Sequence, residues 1–71
     1  MWEAWAVCIE EEDHKFFANS VRIPCGSNVV QWCEAQEFKY CYICKDRQAA
    51  EDSAYRLNAA YRQIGIALYT D

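Results

Sequence analysis

Glycine and proline are scarce in this 71-residue chain, with two and one respectively, and so are histidine and methionine, with one each. So little glycine and proline leaves no low-complexity linker, and the length leaves no space for a second domain. A glycine-rich phosphate loop, a nucleophile elbow, a His-Glu-x-x-His helix and a calcium loop are all missing. With His14 alone in a charged stretch, no acid–base or nucleophilic constellation forms around it, and the chain reads as a non-enzyme. Nor does any run approach the ~20 apolar residues that span a bilayer. The opening MWEAWAVCI carries Glu3 and lacks a basic leader, so no export signal is expected and a cytoplasmic location follows, with thiols reduced by default.

What is present is apolar and aromatic. Hydrophobic residues make up 54% of the chain, with three Trp, five Tyr and three Phe, enough to offset the entropy of ordering a single small domain. Charge is segregated. Residues 1–37 carry seven acids against Lys15 and Arg22, a balance of −5, whereas residues 38–71 carry four acids against five bases. A protein that binds nucleic acid by releasing counterions shows the opposite sign, so no direct nucleic-acid binding is expected. An acidic half is suited instead to a basic surface on another protein or nucleoprotein.

The pattern along the chain predicts α+β: an antiparallel meander of three to four strands, one amphipathic helix packed on it, and a short C-terminal strand. In residues 2–11 neither alternating face is polar, which suits a central strand covered in part on both sides. EEEDHK, residues 10–15, is a hairpin connection into KFFANSVRI, which stops at Pro24 and the turn residues Cys25-Gly26-Ser27. NVVQWCEAQE (28–37) favours a strand by its Val-Val and Trp. The alternative is a short helix capped by Ser27 that buries Val29, Trp32, Cys33 and Gln36. FKYCYI alternates, Phe38, Tyr40 and Tyr42 against Lys39, Cys41 and Ile43. Over residues 46–64, Ala50, Ala54, Leu57, Tyr61 and Ile64 form one helical stripe, with Arg62 near its end and Gly65 as a stop. IALYT reads as a closing strand.

Five cysteines stand at 8, 25, 33, 41 and 44. Cys41 and Cys44 form a C-x-x-C, yet Tyr42 and Ile43 between them favour extended backbone, where residues three apart face opposite ways. That argues against a zinc knuckle. A thioredoxin-type dithiol is disfavoured too, because Cys41 lies in the strand before the helix. Buried cysteine used as a small hydrophobe is the plain reading, with no cofactor.

Two resemblances add expectations. IPCGSNVV, YCYICK and AEDSAYRLN resemble the restriction alleviation family of small phage-associated zinc ribbons, which implies Cys25, Cys41 and Cys44 as ligands, with Cys33 or His14 completing the set. Arg22 stands where the first knuckle's first cysteine would be, Lys45 replaces a glycine and Leu57 a tryptophan. In size, acidity and hairpin-plus-helix organisation the chain also resembles the small anti-CRISPR inhibitors that phages and mobile elements make against host defence. That likeness implies a non-enzymatic inhibitor, active in the host cytoplasm, that blocks a nucleic-acid-binding complex by protein–protein contact. Glu10, Glu11, Glu12 and Asp13, joined by Glu34 and Glu37, are the expected acidic contact ridge. Tyr40, Tyr42 and Tyr55 are the expected aromatic contacts. A degenerate zinc-ribbon adaptor and a homodimeric structural protein are the alternatives.

Overall fold

The computed structural model describes residues 4–24 and 28–69, with Val30 described by its backbone alone. Trp2, Glu3, the Cys25-Gly26-Ser27 turn and Thr70 lie outside the described residues. Five elements follow one another: β1 (Ala4–Glu12), β2 (Lys15–Ile23), α1 (Val29–Ala35), β3 (Tyr40–Cys44) and α2 (Arg47–Gln63). The three strands form one antiparallel sheet in the order β2-β1-β3. The class is α+β, as expected, and the two-sided apolar pattern of β1 is explained by its central place. Consecutive pairing does not continue past the first hairpin, because β3 returns to β1 and leaves β2 at the edge.

The β1–β2 hairpin turns on Asp13 and His14, whose φ angles are +55° and +64°. Two successive left-handed residues twist in the sense that paired strands require, and Asp and His tolerate that region better than most side chains. Helix α2 begins at Asp46, whose carboxylate accepts from Ala49 N–H at 2.8 Å, and the chain leaves it through Gly65 at φ +79°. Arg47 adds an ion pair with Glu51 one turn on, at 3.3 Å.

Two apolar layers sandwich the sheet. On one side Val7, Ile9 and Ala18 meet Ala50 and Ala54 of α2, with Trp5, Phe16, Leu57 and Tyr61 around them. Alanine on both partners lets the helix approach closely, and Arg47 stacks over Trp5 at 5.4 Å. On the other side Ala6, Cys8 and Ile23 meet Cys33 of α1, flanked by Val29, Trp32, Phe38 and Cys41. Burial of Ile23 and Val7, among the largest fully buried side chains, contributes about 1.5–3 kcal/mol each.

Three expectations are corrected. Residues 29–35 are helical: Asn28, rather than Ser27, caps the helix by accepting from Gln31 N–H at 3.2 Å. Val29, Trp32 and Cys33 then share the face toward the sheet, and this packing overrides the strand preference of Val and Trp, while Gln36 is exposed. Ile64 ends the helical stripe outside the core, because it sits at the cap where the chain turns away, and it is 68% exposed. The closing strand shrinks to a single parallel bridge, Phe16 to Ala67. Phe16 N–H donates to the Ile66 carbonyl at 2.8 Å, and Leu68 N–H donates to the Phe16 carbonyl at 2.9 Å.

Asn58 extends that edge by one rung. Its side-chain oxygen accepts from Ala18 N–H at 2.7 Å and its amide donates to the Ala18 carbonyl at 2.8 Å. A helix side chain thus occupies the place of a fourth strand.

Candidate functional site

The acidic residues gather at one end of the sheet. β1 runs toward the hairpin tip, where Glu11, Glu12 and Asp13 are exposed. β3 starts at that same end, since Tyr40 pairs with Ile9 and Lys39 N–H donates to the Ile9 carbonyl at 2.8 Å. The turn before it carries Glu37, at φ +65°, and the last part of α1 carries Glu34, both exposed. All six expected carboxylates are therefore brought to one end. They are not equivalent. Tyr69 O–H donates to Glu10 Oε1 at 2.8 Å, and this bond and the Glu10 charge raise the Tyr69 phenol pKa. Phe17 meets Tyr69 edge-on at 4.9 Å and fixes its ring. Lys39 Nζ lies 3.6 Å from Glu11. Among the described residues, Lys15 and Lys39 offset the negative charge at this end, and Tyr69 was not foreseen as a partner of the acid run.

The tyrosines fall on two elements. Tyr40 and Tyr42 point to the α2 side of the sheet, in register with Ile9 and Val7. Helix α2 lies chiefly over β2 and β1, so the aromatic face of β3 stays open, with Tyr40 58% and Tyr42 43% exposed. Tyr55 is exposed on α2 at 72%. Tyr61, by contrast, packs on Phe16 at 5.5 Å, and burial, followed by the nearby Tyr42, raises its phenol pKa.

The sulfurs divide between the faces. Cys41 joins the α1 layer and Cys44 the α2 layer, so the C-x-x-C diverges as its extended backbone dictates. Those two cannot close around one ion, which removes the expected ligand set; Cys25 lies outside the described residues. Cys33 and Cys41 form a disulfide with Cα atoms 6.4 Å apart. The expectation of reduced thiols is corrected here: α1 carries Cys33 over β3 at a separation that a disulfide spans without backbone movement. Cys8, paired in register with Cys41, places its Sγ 2.7 Å from the Cys41 sulfur. Burial pushes the Cys8 thiol pKa up to about 11. Beside this trio lies a cavity of about 250 Å³ lined by Val29, Glu34, Phe38, Tyr40 and the Cys33–Cys41 pair.

No helix among the described residues is long and apolar enough to cross a membrane. No family model, curated protein or solved structure matches the chain. The chemistry of its own residues therefore carries the functional reading.

Proposed function

We propose that this protein is a small acidic binding module, without catalytic activity, that docks on a basic protein or nucleoprotein surface through the carboxylate end of its sheet. The observation that carries this reading is the convergence of Glu11, Glu12 and Asp13 at the hairpin tip with Glu34 and Glu37 from the α1–β3 connection. Carboxylates at one end of an acidic domain steer it toward Lys- and Arg-lined grooves and mimic the charge of a nucleic-acid backbone. Tyr40 and Tyr42, exposed on the adjoining strand, supply aromatic contact area beside that charge.

The resemblance to phage-type inhibitors of host defence gives this docking a purpose, occlusion of the nucleic-acid site of a CRISPR-type complex. The test is competition: purified CRISPR effector complexes are incubated with labelled target DNA and increasing amounts of this protein. Displacement should weaken as salt rises and fall at least tenfold for the triple substitution Glu11→Lys, Glu12→Lys, Asp13→Lys, whose exposed positions spare the fold. Equal displacement by the triple variant would remove the acidic-end reading.

A second reading, self-association, is favoured by the open edge of β3, where Tyr40, Tyr42 and Ile43 are all exposed. A dimer joined there would persist at high salt, which separates it from charge docking.

A further inference from the structure

We infer that Cys8, Cys33 and Cys41 form a three-thiolate site for one divalent d10 cation of the zinc class, once a dithiol or phosphine reductant has broken the Cys33–Cys41 S–S bond with two electrons and two protons to leave two thiols. Three elements converge to build it. β1 contributes Cys8, β3 contributes Cys41 directly opposite, and α1 lays Cys33 over both. The three sulfurs lie within 4.8 Å of one another. A zinc–sulfur bond of ~2.3 Å in tetrahedral geometry requires sulfur–sulfur edges of ~3.8 Å. Opening the disulfide lets the crowded sulfurs move apart toward that spacing without moving a strand.

Two contacts besides the disulfide bear on the placement of Cys33. Trp32 stacks on Phe38 at 6.1 Å, and Phe38 N–H donates to the Cys33 carbonyl at 3.1 Å. Among the described residues the cluster holds sulfur ligands alone, which selects soft and borderline cations over magnesium or calcium. Charge selects the divalent ion. Three thiolates around a 2+ ion leave one net negative charge in a buried site, whereas a monovalent ion would leave two. The cavity that Cys33, Cys41 and Glu34 line leaves space beside the sulfurs for a water to complete the shell.

Binding forms three metal–sulfur bonds and releases the three thiol protons to solvent. The cation-bound and disulfide-bonded forms share Cys33 and Cys41, so they exclude one another. Protons compete with the cation for the three sulfurs, so affinity falls as pH falls.

The test uses the full chain, reduced with a phosphine under anaerobic conditions and titrated with Co2+ and then Zn2+. One equivalent of Co2+ should give sulfur-to-cobalt charge-transfer absorption that Zn2+ abolishes. Cys8→Ser, Cys33→Ser and Cys41→Ser should each weaken binding at least tenfold, while Cys25→Ser and Cys44→Ser leave it unchanged. Binding undiminished in Cys8→Ser, or lost in Cys44→Ser, would overturn the assignment, as would absence of binding by the reduced wild type. Where a variant does not fold, alkylation of the wild type read by peptide mass spectrometry decides. Zn2+ should protect Cys8, Cys33 and Cys41 and leave Cys44 reactive; equal labelling with and without Zn2+ would sink the site.

Discussion

The two faces of the sheet are covered by different means. On one, a 17-residue helix lies across β2 and β1, seated by alanines and locked by Asn58. On the other, a seven-residue helix covers Ala6, Cys8 and Ile23. Two turns of helix are marginal on their own, since nucleation is costly and few hydrogen bonds follow it. The long helix is held by packing; the short one is pinned covalently, through Cys33 to Cys41. The contrast teaches that cover in a domain this small can come from area or from a cross-link, and that the cross-linked face carries a cavity and a sulfur cluster.

The largest expected effect breaks the short face. In the loop-entropy account, a cross-link spanning a sequence separation of eight contributes about 2.5 kcal/mol. Reduction in the presence of a chelator should lower stability by about that amount in urea unfolding, and Cys33→Ala with Cys41→Ala should make the protein insensitive to reductant. Hydrogen exchange should locate the loss at Phe38 and Lys39 amides while α2 amides stay protected. Unchanged stability on reduction would mean that α1 holds its place by packing alone.

The next effect breaks the long face. Asn58→Ala removes two hydrogen bonds and leaves both polar groups of Ala18 without their partner, a loss of about 2 kcal/mol. Asn58→Asp keeps an acceptor for Ala18 N–H but sets a carboxylate oxygen against the Ala18 carbonyl, so no rescue is expected. Because Asn58 and the disulfide serve opposite faces, their losses should add to within about 0.5 kcal/mol in the triple variant. Strong coupling in denaturant unfolding would show instead that the layers stabilise each other through β1.

Parts of this division were legible in the chain. The α2 stripe through Ala50, Ala54, Leu57 and Tyr61 extends over several turns, long enough for periodicity to settle both the element and its buried side. β1 announced its central place by having no polar face. The divergence of Cys41 and Cys44 followed from Tyr42 and Ile43 and required no tertiary information. Helix α1 was obscured because Val and Trp prefer strands, and only the sheet on which Val29 and Trp32 pack decides otherwise. The sulfur trio was hidden for a related reason: residues 8, 33 and 41 meet only once β3 is known to pair with β1. The Glu10–Tyr69 bond likewise depends on a segment whose single bridge to β2 leaves little local pattern. The α+β class, the hairpin and the acidic run were matters of local sequence; the site chemistry was set by long-range register.

Among the described residues, one free thiol on each face gives the finest comparison. Cys8 is fully buried among the α1 layer, and Cys44 is half-buried at the end of β3. With its pKa near 11, Cys8 is thiolate in only about one molecule per thousand at pH 8, and that fraction rises tenfold per pH unit. In a Cys25→Ser background under oxidising conditions, a maleimide should therefore modify Cys44 well before Cys8, with Cys8 labelling gaining steeply between pH 8 and 11. The same shift has a sign for stability. Because the folded pKa lies above the ordinary value of 9.0, the protonated thiol's contribution is complete below pH 9 and is lost as pH climbs toward 11. Tyr61 and Tyr69, raised as well, add to that alkaline decline. Cys8→Ala should flatten the part that begins near pH 9 and leave the tyrosine part above it. If Cys8 instead reacts as fast as Cys44 at pH 8, the α1 layer opens readily, and the short face is covered only part of the time even with its disulfide closed.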